Sequence, residues 1–321
     1  MASWRAESSA PVRACSQPRM MNIQLEPFSE SDLDKLWELV VSQSTVVSID
    51  TARTLVTNRR GTAVWRAQYR GNSWSVKCAG AMRSVAKTYA MESIVREGLV
   101  LSDVKAIGQG YLIESGQASN SDWTCAFLIC TWIEGPSALR ELLSSKPQVH
   151  REGGEALAMK LVPAIYAAVA PLHDAGWAHG DLQPDHFRWH DEKLSLMDFG
   201  LSQSLAHPMP GYRGGLVHFN APEVCRDILS YGEAVATPQT DVFALASIVY
   251  FGITGTVLGS YSLDDSWEHK VKTLASGKYR SDPVEAFQSL PSAFSSFLMD
   301  CLELDPSQRP SSASAIPELS A

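Results

Sequence analysis

Two short clusters in the middle of the chain contain residues that could do chemistry. The first is His179-Gly-Asp-Leu-Gln-Pro-Asp-His186, and the second is Asp198-Phe-Gly200, which begins twelve residues after His186. Two aspartates on loops beside short strands suit phosphoryl transfer. One can orient the attacking hydroxyl and accept its proton, while the other holds the divalent metal that bridges the phosphates. The clusters therefore predict a phosphoryl-transfer site that contains Asp181 and Asp198.

The elements before these clusters are predicted to be mostly strands, and the joint to a helical part lies near residues 131–136. Apolar and polar residues that alternate between turn residues predict strands over 64–69, 74–78, 111–113 and 125–133. A hairpin turn is predicted at 70–73 and a loop after 113. Helical periodicity predicts a helix over 29–41 with a capping-box-like start, and another over 82–101.

The part after the joint is predicted to be mostly helical. Its strongest helices are expected over 155–175, 240–252 and 292–304, and short strands are expected near 187–189 and 194–197. Pro163 is expected to kink the first of these helices. The fold class expected from this order is α+β, with a small strand-rich part before a larger helical one.

The composition is that of a globular chain with two domains or one large two-lobed domain. Apolar residues make up 45% of the 321 residues, which is enough to bury a core. The 27 basic and 35 acidic residues give a net charge of −8. Proteins that bind nucleic acid or anionic membranes usually carry the opposite balance. We expect no nucleic-acid partner and no membrane partner, and the oligomeric state stays open.

Three patterns bear on location. The six cysteines lack the spacing of a zinc site, and we expect reduced thiols in a cytoplasmic protein. The apolar run over 242–259 approaches the length of a membrane span, but polar residues interrupt it, so a buried helix is expected. Residues 1–28 are expected to form a loose leader without a secretory signal; a transit peptide or a start at Met20 or Met21 stays open.

Four motifs in one order resemble the eukaryotic-type, Ser/Thr-like protein kinases. His179–His186 resembles H-R-D-L-x-x-x-N, Asp198-Phe-Gly is the metal-binding motif, and Ala221-Pro-Glu223 matches A-P-E. Trp74-Ser-Val-Lys77 stands where V-A-I-K belongs. The resemblance implies a bilobal kinase-like fold. Its parts would be a helical extension over 29–45, a small N-lobe over 46–133 and a larger C-lobe over 134–321.

The resemblance also implies catalytic roles. Asp181 would be the base, with Gln183 beside it, and Asp198 would bind Mg²⁺ or Mn²⁺ together with His186. Lys77 would contact the α- and β-phosphates of ATP and pair with a helix glutamate. Glu97 is our choice for that partner, because it precedes a leucine pattern like the family's; Glu92, on the more apolar helix face, is the rival.

A nucleotide-binding set follows from the same resemblance. Val64 and Ser75 would pack against the adenine, and Cys130 would be the gatekeeper. Thr131, Trp132 and Ile133 would form the hinge whose main chain bonds the base. Glu134 would reach the ribose, and Gly61 would lie in the loop over the phosphates.

Two further matches resemble structural parts of protein kinases. Asp241 would brace the catalytic loop from the start of the central helix, and Arg309 would pair with Glu223. Small-molecule phosphotransferases commonly share His-Gly-Asp but lack this pair, so the pattern favours the protein-kinase branch.

Several residues depart from the family pattern near the chemistry. The segment Thr57–Ala63 has one glycine, Gly61, where a Gly-rich loop belongs. His186 replaces the metal-binding asparagine, and imidazole is a poor ligand for Mg²⁺. The second metal would then be absent, held differently or replaced by Mn²⁺. Gln183 replaces a lysine, Leu216 a threonine, and Gly180 the arginine that pairs with a phosphorylated activation loop.

These observations leave three functions in order of preference. The first is an ATP-dependent protein kinase that phosphorylates a hydroxyl, Ser or Thr, of a protein or peptide, because Lys77, Asp181 and Asp198 are retained. The second is a pseudokinase with a binding or regulatory role, which the departures favour. The third is a small-molecule phosphotransferase.

Overall fold

A five-stranded antiparallel sheet and its helices form the first part of the chain. The structure is a computed structural model that describes residues 27–82, 89–138, 153–190, 193–204, 206, 211–280, 283–288 and 290–317. The elements of this first part are α1 (Glu30–Gln43), β1 (Ala52–Arg59), β2 (Thr62–Tyr69), β3 (Asn72–Met82), α2 (Tyr89–Asp103), α3 (Lys105–Gly108), β4 (Leu112–Ser119) and β5 (Trp123–Thr131). The strand order is β1-β2-β3-β5-β4. The first 26 residues of the expected leader lie outside the described ranges.

Helix α1 covers one face of this sheet. Ser29 caps its first turn by accepting from the N–H of Asp32 at 3.2 Å. Trp37 of α1 meets Trp65 of β2 edge to face, with ring centroids 5.6 Å apart, and Arg53 stacks 4.6 Å above Trp37. The helix predicted over 29–41 is therefore present, and it packs against the sheet through an apolar layer.

Strand alternation gives the sheet two buried faces. The side that meets α1 carries Trp65, Val76, Cys78, Phe127 and Ile129. The opposite side carries Ala79, Leu128 and Cys130, which join the main core with α2. Because successive side chains point to opposite faces, residues two apart share a face.

Two predictions for this part were wrong. Strand β4 continues to Ser119, where a loop was expected, because an edge strand tolerates polar residues that alternate toward water. Gly116 also lets the Phe127 ring pack closely, since a Cβ there would lie 2.9 Å from Cζ. Met82 ends β3 instead of starting a helix, and it pairs with Trp123 of β5.

The second part of the described chain is mainly helical. Its elements are α4 (Gly153–Asp174), β6 (Trp177–Ala178), β7 (Phe187–His190), β8 (Lys193–Leu196), β9 (Gln203–Ser204), α5 (Pro222–Tyr231), α6 (Pro238–Thr254), α7 (Trp267–Ala275), α8 (Pro283–Phe287) and α9 (Ser292–Cys301). Helix α4 runs through Pro163 and Pro171. The expected α+β fold with a strand-rich lobe and a helical lobe is thus confirmed.

Helix α6 is the buried centre of the helical lobe. Thr237 and Thr240 form a capping box, Pro238 occupies the first turn, and Gly255 ends the helix at φ 69°. Nearly all its side chains are buried, which explains the long apolar run in the sequence. Across the described ranges, every helix is too short or too polar to cross a bilayer.

Candidate active site

Lys77 joins three elements through two carboxylates. Its Nζ lies 2.6 Å from Glu97 Oε2 and 2.8 Å from Asp198 Oδ1. Strand β3 carries Lys77, α2 carries Glu97, and the turn after β8 carries Asp198. The rival carboxylate, Glu92, is exposed and makes no ion pair among the described residues. This arrangement ties the sheet to the helix and to the Asp198-Phe-Gly turn.

Burial and charge act in opposite directions on these three groups. Burial lowers the pKa of Lys77, but the carboxylates of Asp198 and Glu97 outweigh it and raise that pKa above its ordinary value. Burial raises the pKa of Asp198, yet the positive charge of Lys77 outweighs it and holds that pKa well below its usual range. Burial dominates at Glu97 and raises its pKa. The cluster thus contains a firmly protonated lysine beside a firmly ionised Asp198.

Asp241, in the first turn of α6, fixes the main chain of the catalytic loop, which is the motif His179–His186. Its Oδ2 accepts from the N–H of His179 at 2.6 Å, and its Oδ1 accepts from the N–H of Gly180 at 3.0 Å. The ring Nδ1 of His173 accepts from the N–H of Ala313, so its Nε2 carries the proton and donates to Asp241 at 3.0 Å. Three donors therefore satisfy this buried carboxylate.

Asp181 is held at both carboxylate oxygens. The N–H of Leu216 donates to Oδ1 at 2.7 Å, and Gln183 Nε2 donates to Oδ2 at 3.2 Å. The main chain of Leu216 thus supplies a hydrogen bond that its side chain cannot make. Gly215 permits this close approach, because a Cβ there would lie 2.3 Å from Asp181 Oδ1. Burial raises the pKa of Asp181, which makes its carboxylate a better proton acceptor.

His186 has one ring nitrogen fixed and the other facing Asp198. Its Nδ1 lies 2.8 Å from the carbonyl oxygen of Asp181, which can only accept, so Nδ1 carries a proton. In the neutral ring Nε2 therefore presents a lone pair, and it lies 3.5 Å from Asp198 Oδ2. A carbonyl that orients a histidine in this way commonly supports a metal-ligating imidazole. Among the described residues no group of three or more His, Cys, Asp or Glu side chains could hold a metal ion, so a cation at Asp198 and His186 would need substrate phosphates to complete its ligands.

The residues expected around the adenine share one face of the sheet. The register pairs Val64 with Lys77 and Ser75 with Cys130. Because Ser75 and Lys77 are two residues apart on β3, all four side chains lie on the same face. The structure therefore brings these four residues together on one surface.

Two of the three predicted hinge residues have their main-chain N–H groups paired within the described part of the chain. The N–H of Thr131 donates to the carbonyl of Tyr111 at 2.8 Å, and the N–H of Trp132 donates to the carbonyl of Ser73 at 3.0 Å. The N–H of Ile133 donates to none of the residues that the structure describes. Within the described residues, this main-chain donor of Ile133 is therefore free to bond a ligand.

Sequence reasoning missed Arg66, which lies at one end of this surface. Its guanidinium forms an ion pair with Glu134 and lies 5.0 Å from the ring centroid of Trp132. Glu134, which we expected to reach the ribose, is therefore paired in the structure. Alternation could have indicated Arg66, because it is two residues from Val64 on β2.

The β1–β2 hairpin closes with a tight two-residue turn at Arg60 and Gly61. Their φ angles are 54° and 72°, as expected for a turn that follows the twist of the strands. Gly61 therefore serves the turn itself. Arg59 and Arg60 are exposed at the tip, and no hydrogen bond joins the tip to Lys77 among the described residues.

Arg309 and Glu223 form a bidentate pair below the site. Arg309 Nη1 lies 2.6 Å from Glu223 Oε1, and Nη2 lies 2.8 Å from Oε2. The guanidinium also stacks 4.9 Å from the ring centroid of Phe243 in α6. The pair fixes the start of α5 to the end of the helical lobe, as the resemblance implied.

Comparison with known proteins agrees with this geometry. A family model described as "Protein kinase domain" matches residues 63–318. The chain is 30% identical over 169 residues to calcium/calmodulin-dependent protein kinase cmkB of Emericella nidulans, covering 48% of this chain and 38% of that protein. It is 30% identical over 156 residues to human calcium/calmodulin-dependent protein kinase type 1B, covering 47% of this chain and 43% of that protein. The chain thus aligns with less than half the length of these two curated relatives, but the family model covers most of it, and the chain belongs to the protein kinase family.

Proposed function

We propose that the protein is an active ATP-dependent protein kinase that phosphorylates a Ser or Thr hydroxyl of a protein or peptide. The observation that carries the proposal is the position of Lys77, which contacts Glu97 and Asp198 at 2.6 and 2.8 Å. In protein kinases the lysine–glutamate pair and the metal-binding aspartate must both be in place for transfer. A fold that had lost catalysis would not need to keep all three groups in contact.

Asp181 would orient the acceptor hydroxyl and take its proton. As the acceptor oxygen bonds to the γ-phosphorus, the bond to the bridging oxygen breaks and ADP departs with that electron pair. The raised pKa of Asp181 supports this role. Its hydrogen bonds to Leu216 and Gln183 would keep the carboxylate aimed at one position.

Asp198 and His186 would hold the divalent cation, either Mg²⁺ or Mn²⁺. The cation supplies charge neutralisation at the phosphates. The lone pair of His186 Nε2 beside Asp198 fits a metal site, and imidazole suits Mn²⁺ better than Mg²⁺.

The nucleotide base would lie against Val64, Ser75 and Cys130, with Lys77 on the α- and β-phosphates. The N–H of Ile133, which donates to no described residue, supports a main-chain hydrogen bond to the base, with Thr131 and Trp132 forming the rest of the hinge. Gly61 would lie near the phosphates at the hairpin tip.

A protein or peptide acceptor is proposed because the relatives are named as protein kinases. The net charge of −8 argues against nucleic acid as a partner. The described cysteines are free and buried, in keeping with the reducing cytoplasm.

The test is transfer of label from [γ-³²P]ATP by the full chain, with Mg²⁺ or Mn²⁺, to generic protein and peptide acceptors. We expect label on Ser or Thr, and a loss of about 10²-fold or more in Asp181→Asn. The control is Asp185→Asn, an exposed carboxylate in the same loop. Equal labelling by wild type and Asp181→Asn would refute the proposal.

The second candidate is a pseudokinase that binds a nucleotide without transferring phosphate. The observation that favours it is the hairpin tip, where two exposed arginines and one glycine replace a Gly-rich loop. ATP with Mn²⁺ that raises the melting temperature while no acceptor is labelled would support this candidate.

A further inference from the structure

Tyr212 is buried against the catalytic loop from the segment between Asp198 and Glu223. Its side chain is 3% exposed, and its hydroxyl donates to the carbonyl oxygen of Gly180 at 2.6 Å. Its own carbonyl accepts from the N–H of Ala234 at 2.8 Å. The residue is therefore fixed at both its main chain and its hydroxyl.

Gly180 has a conformation that only glycine adopts easily, with φ 76°. A Cβ at this position would lie 2.9 Å from the carbonyl oxygen of Leu201 and 3.1 Å from Cε2 of Tyr212. An arginine side chain at position 180 would therefore be strained and crowded on this backbone. The Tyr212 ring packs against the position that its Cβ would take.

The hydroxyl of Tyr212 acts on the peptide unit that leads into Asp181. This peptide consists of the Gly180 carbonyl and the Asp181 N–H, which donates to His179 Nδ1 at 3.2 Å. Glycine alone leaves such a peptide free to rotate. Asp241 holds the N–H on one side of Gly180 and Tyr212 holds its carbonyl, so the two side chains fix the orientation of the main chain before Asp181.

The segment from Asp198 to Gly215 has few hydroxyl side chains that could be phosphorylated. From Asp198 to Gly215 the sequence contains three hydroxyl side chains, those of Ser202, Ser204 and Tyr212. Ser202 is fully buried, Tyr212 is bonded to the loop, and Ser204 is half-buried in β9. Phosphorylation of the two buried hydroxyls would require the segment to leave its site.

We propose that Tyr212 is a positioning residue that anchors the activation segment, between Asp198 and Glu223, to the catalytic loop. Asp181 is then aligned without phosphorylation of that segment. This inference rests on the proposed kinase function for its kinetic consequences. The hydrogen bonds of Tyr212 among the described residues go to Gly180 and Ala234, so we expect nucleotide binding not to depend on it.

The test compares Tyr212→Phe with Tyr279→Phe in the full chain. Both remove one hydroxyl that donates to a main-chain carbonyl, since Tyr279 donates to Leu302 at 3.3 Å. We expect kcat of Tyr212→Phe to fall about tenfold, as for loss of one buried hydrogen bond, with an unchanged KM for ATP. Tyr279→Phe should keep the wild-type kcat. Wild type treated with a phosphatase should also keep its kcat.

Hydrogen exchange gives a second readout that needs no catalysis. We expect amides in 178–183 and 211–217 to exchange faster in Tyr212→Phe and to be unchanged in Tyr279→Phe. An unchanged exchange rate in Tyr212→Phe would overturn the inference, as would loss of activity on phosphatase treatment. If wild type transfers no phosphate but exchange responds as expected, the anchor stands and the proposed function fails.

Discussion

The main-chain N–H of Leu216 donates to Oδ1 of Asp181 across 2.7 Å. The bond joins the catalytic loop to the segment before α5 and uses no side chain of that segment. It therefore survives the replacement of a threonine by leucine, which looked like a loss of catalytic support in the sequence. A neighbouring glycine without a Cβ is what the contact requires.

Leu216→Pro removes this donor while keeping a compatible backbone, because Leu216 has φ −63°. We expect kcat to fall by about 10- to 100-fold, the value of a hydrogen bond to a charged acceptor. Leu216→Ala keeps the N–H and should retain kcat within a few-fold, since the leucine side chain is 40% exposed. A similar kcat in the proline and alanine variants would contradict this account of Asp181.

Lys77→Met leaves the Glu97 carboxylate, 4% exposed, without its cation. We expect the free energy of unfolding in urea to fall by about 3–5 kcal/mol, the usual cost of breaking a buried pair. Adding Glu97→Leu should restore part of that loss. Lys35→Met breaks the exposed contact to Asp32 and should cost less than about 1 kcal/mol. Equal losses at the two lysines would be inconsistent with the burial of the Lys77 pair.

The free energy of unfolding should depend on pH through protonation of the His179 imidazole. Burial lowers the pKa of this imidazole to about 4, so between pH 6.5 and 4 the unfolded chain binds a proton that the folded one does not. Stability from this residue is present above pH 6.5 and is lost as the pH falls, by about 2 kcal/mol at pH 5.

Urea titrations at pH 7 and pH 5 measure this effect. In His179→Gln the difference in stability between the two pH values should shrink by about 2 kcal/mol. His269→Gln, at a side chain that is 58% exposed, should leave the difference unchanged. A His179→Gln protein with the wild-type pH dependence would exclude a neutral buried imidazole.

His186→Asn should change which cation supports nucleotide binding. The lone pair of Nε2 beside Asp198 suits Mn²⁺, whereas an amide oxygen suits Mg²⁺. We expect ATP with Mn²⁺ to raise the melting temperature of wild type more than ATP with Mg²⁺ does. In His186→Asn the difference between the two rises in melting temperature should shrink or change sign. His269→Asn controls for the loss of a surface histidine. An identical cation preference in wild type and His186→Asn would rule out His186 as a ligand.

Trp37→Ala should destabilise the sheet lobe. The ring is 1% exposed and packs between Trp65 and Arg53, so its loss leaves a cavity that costs about 3–5 kcal/mol. Tyr231→Ala, at a side chain that is 79% exposed, should change stability by less than about 0.5 kcal/mol. Chemical denaturation measures both, and a Trp37→Ala loss below 1 kcal/mol would mean that α1 contributes little.

The sequence predicted the side chains whose identity the chemistry requires. Asp181, Asp198 and Lys77 are recognisable because few residue types can act as a base, hold a metal or neutralise phosphate. The resemblance to protein kinases also predicted that Val64 and Ser75 lie beside the nucleotide base. These predictions depend on residue type and on the order of the motifs, which can be read directly from the sequence.

The contacts that the sequence did not reveal use groups common to every residue or pairs far apart in the chain. The N–H of Leu216 is a main-chain donor, which every residue except proline has, so the residue type gives no signal of this contact. Tyr212 and Gly180 meet only because the segment folds back over 32 residues. The length of β4 was missed because an edge strand with polar residues has a weak pattern.

The layer between α1 and the sheet also defines how much of the chain must fold together. The family match begins at residue 63, after α1 and β1 have ended. A fragment cut there would expose Trp65 and Phe127 on a bare sheet face and leave β2 as an unpaired edge. Such a surface is a template for self-association, so the first 62 residues include the part that keeps this lobe from aggregating.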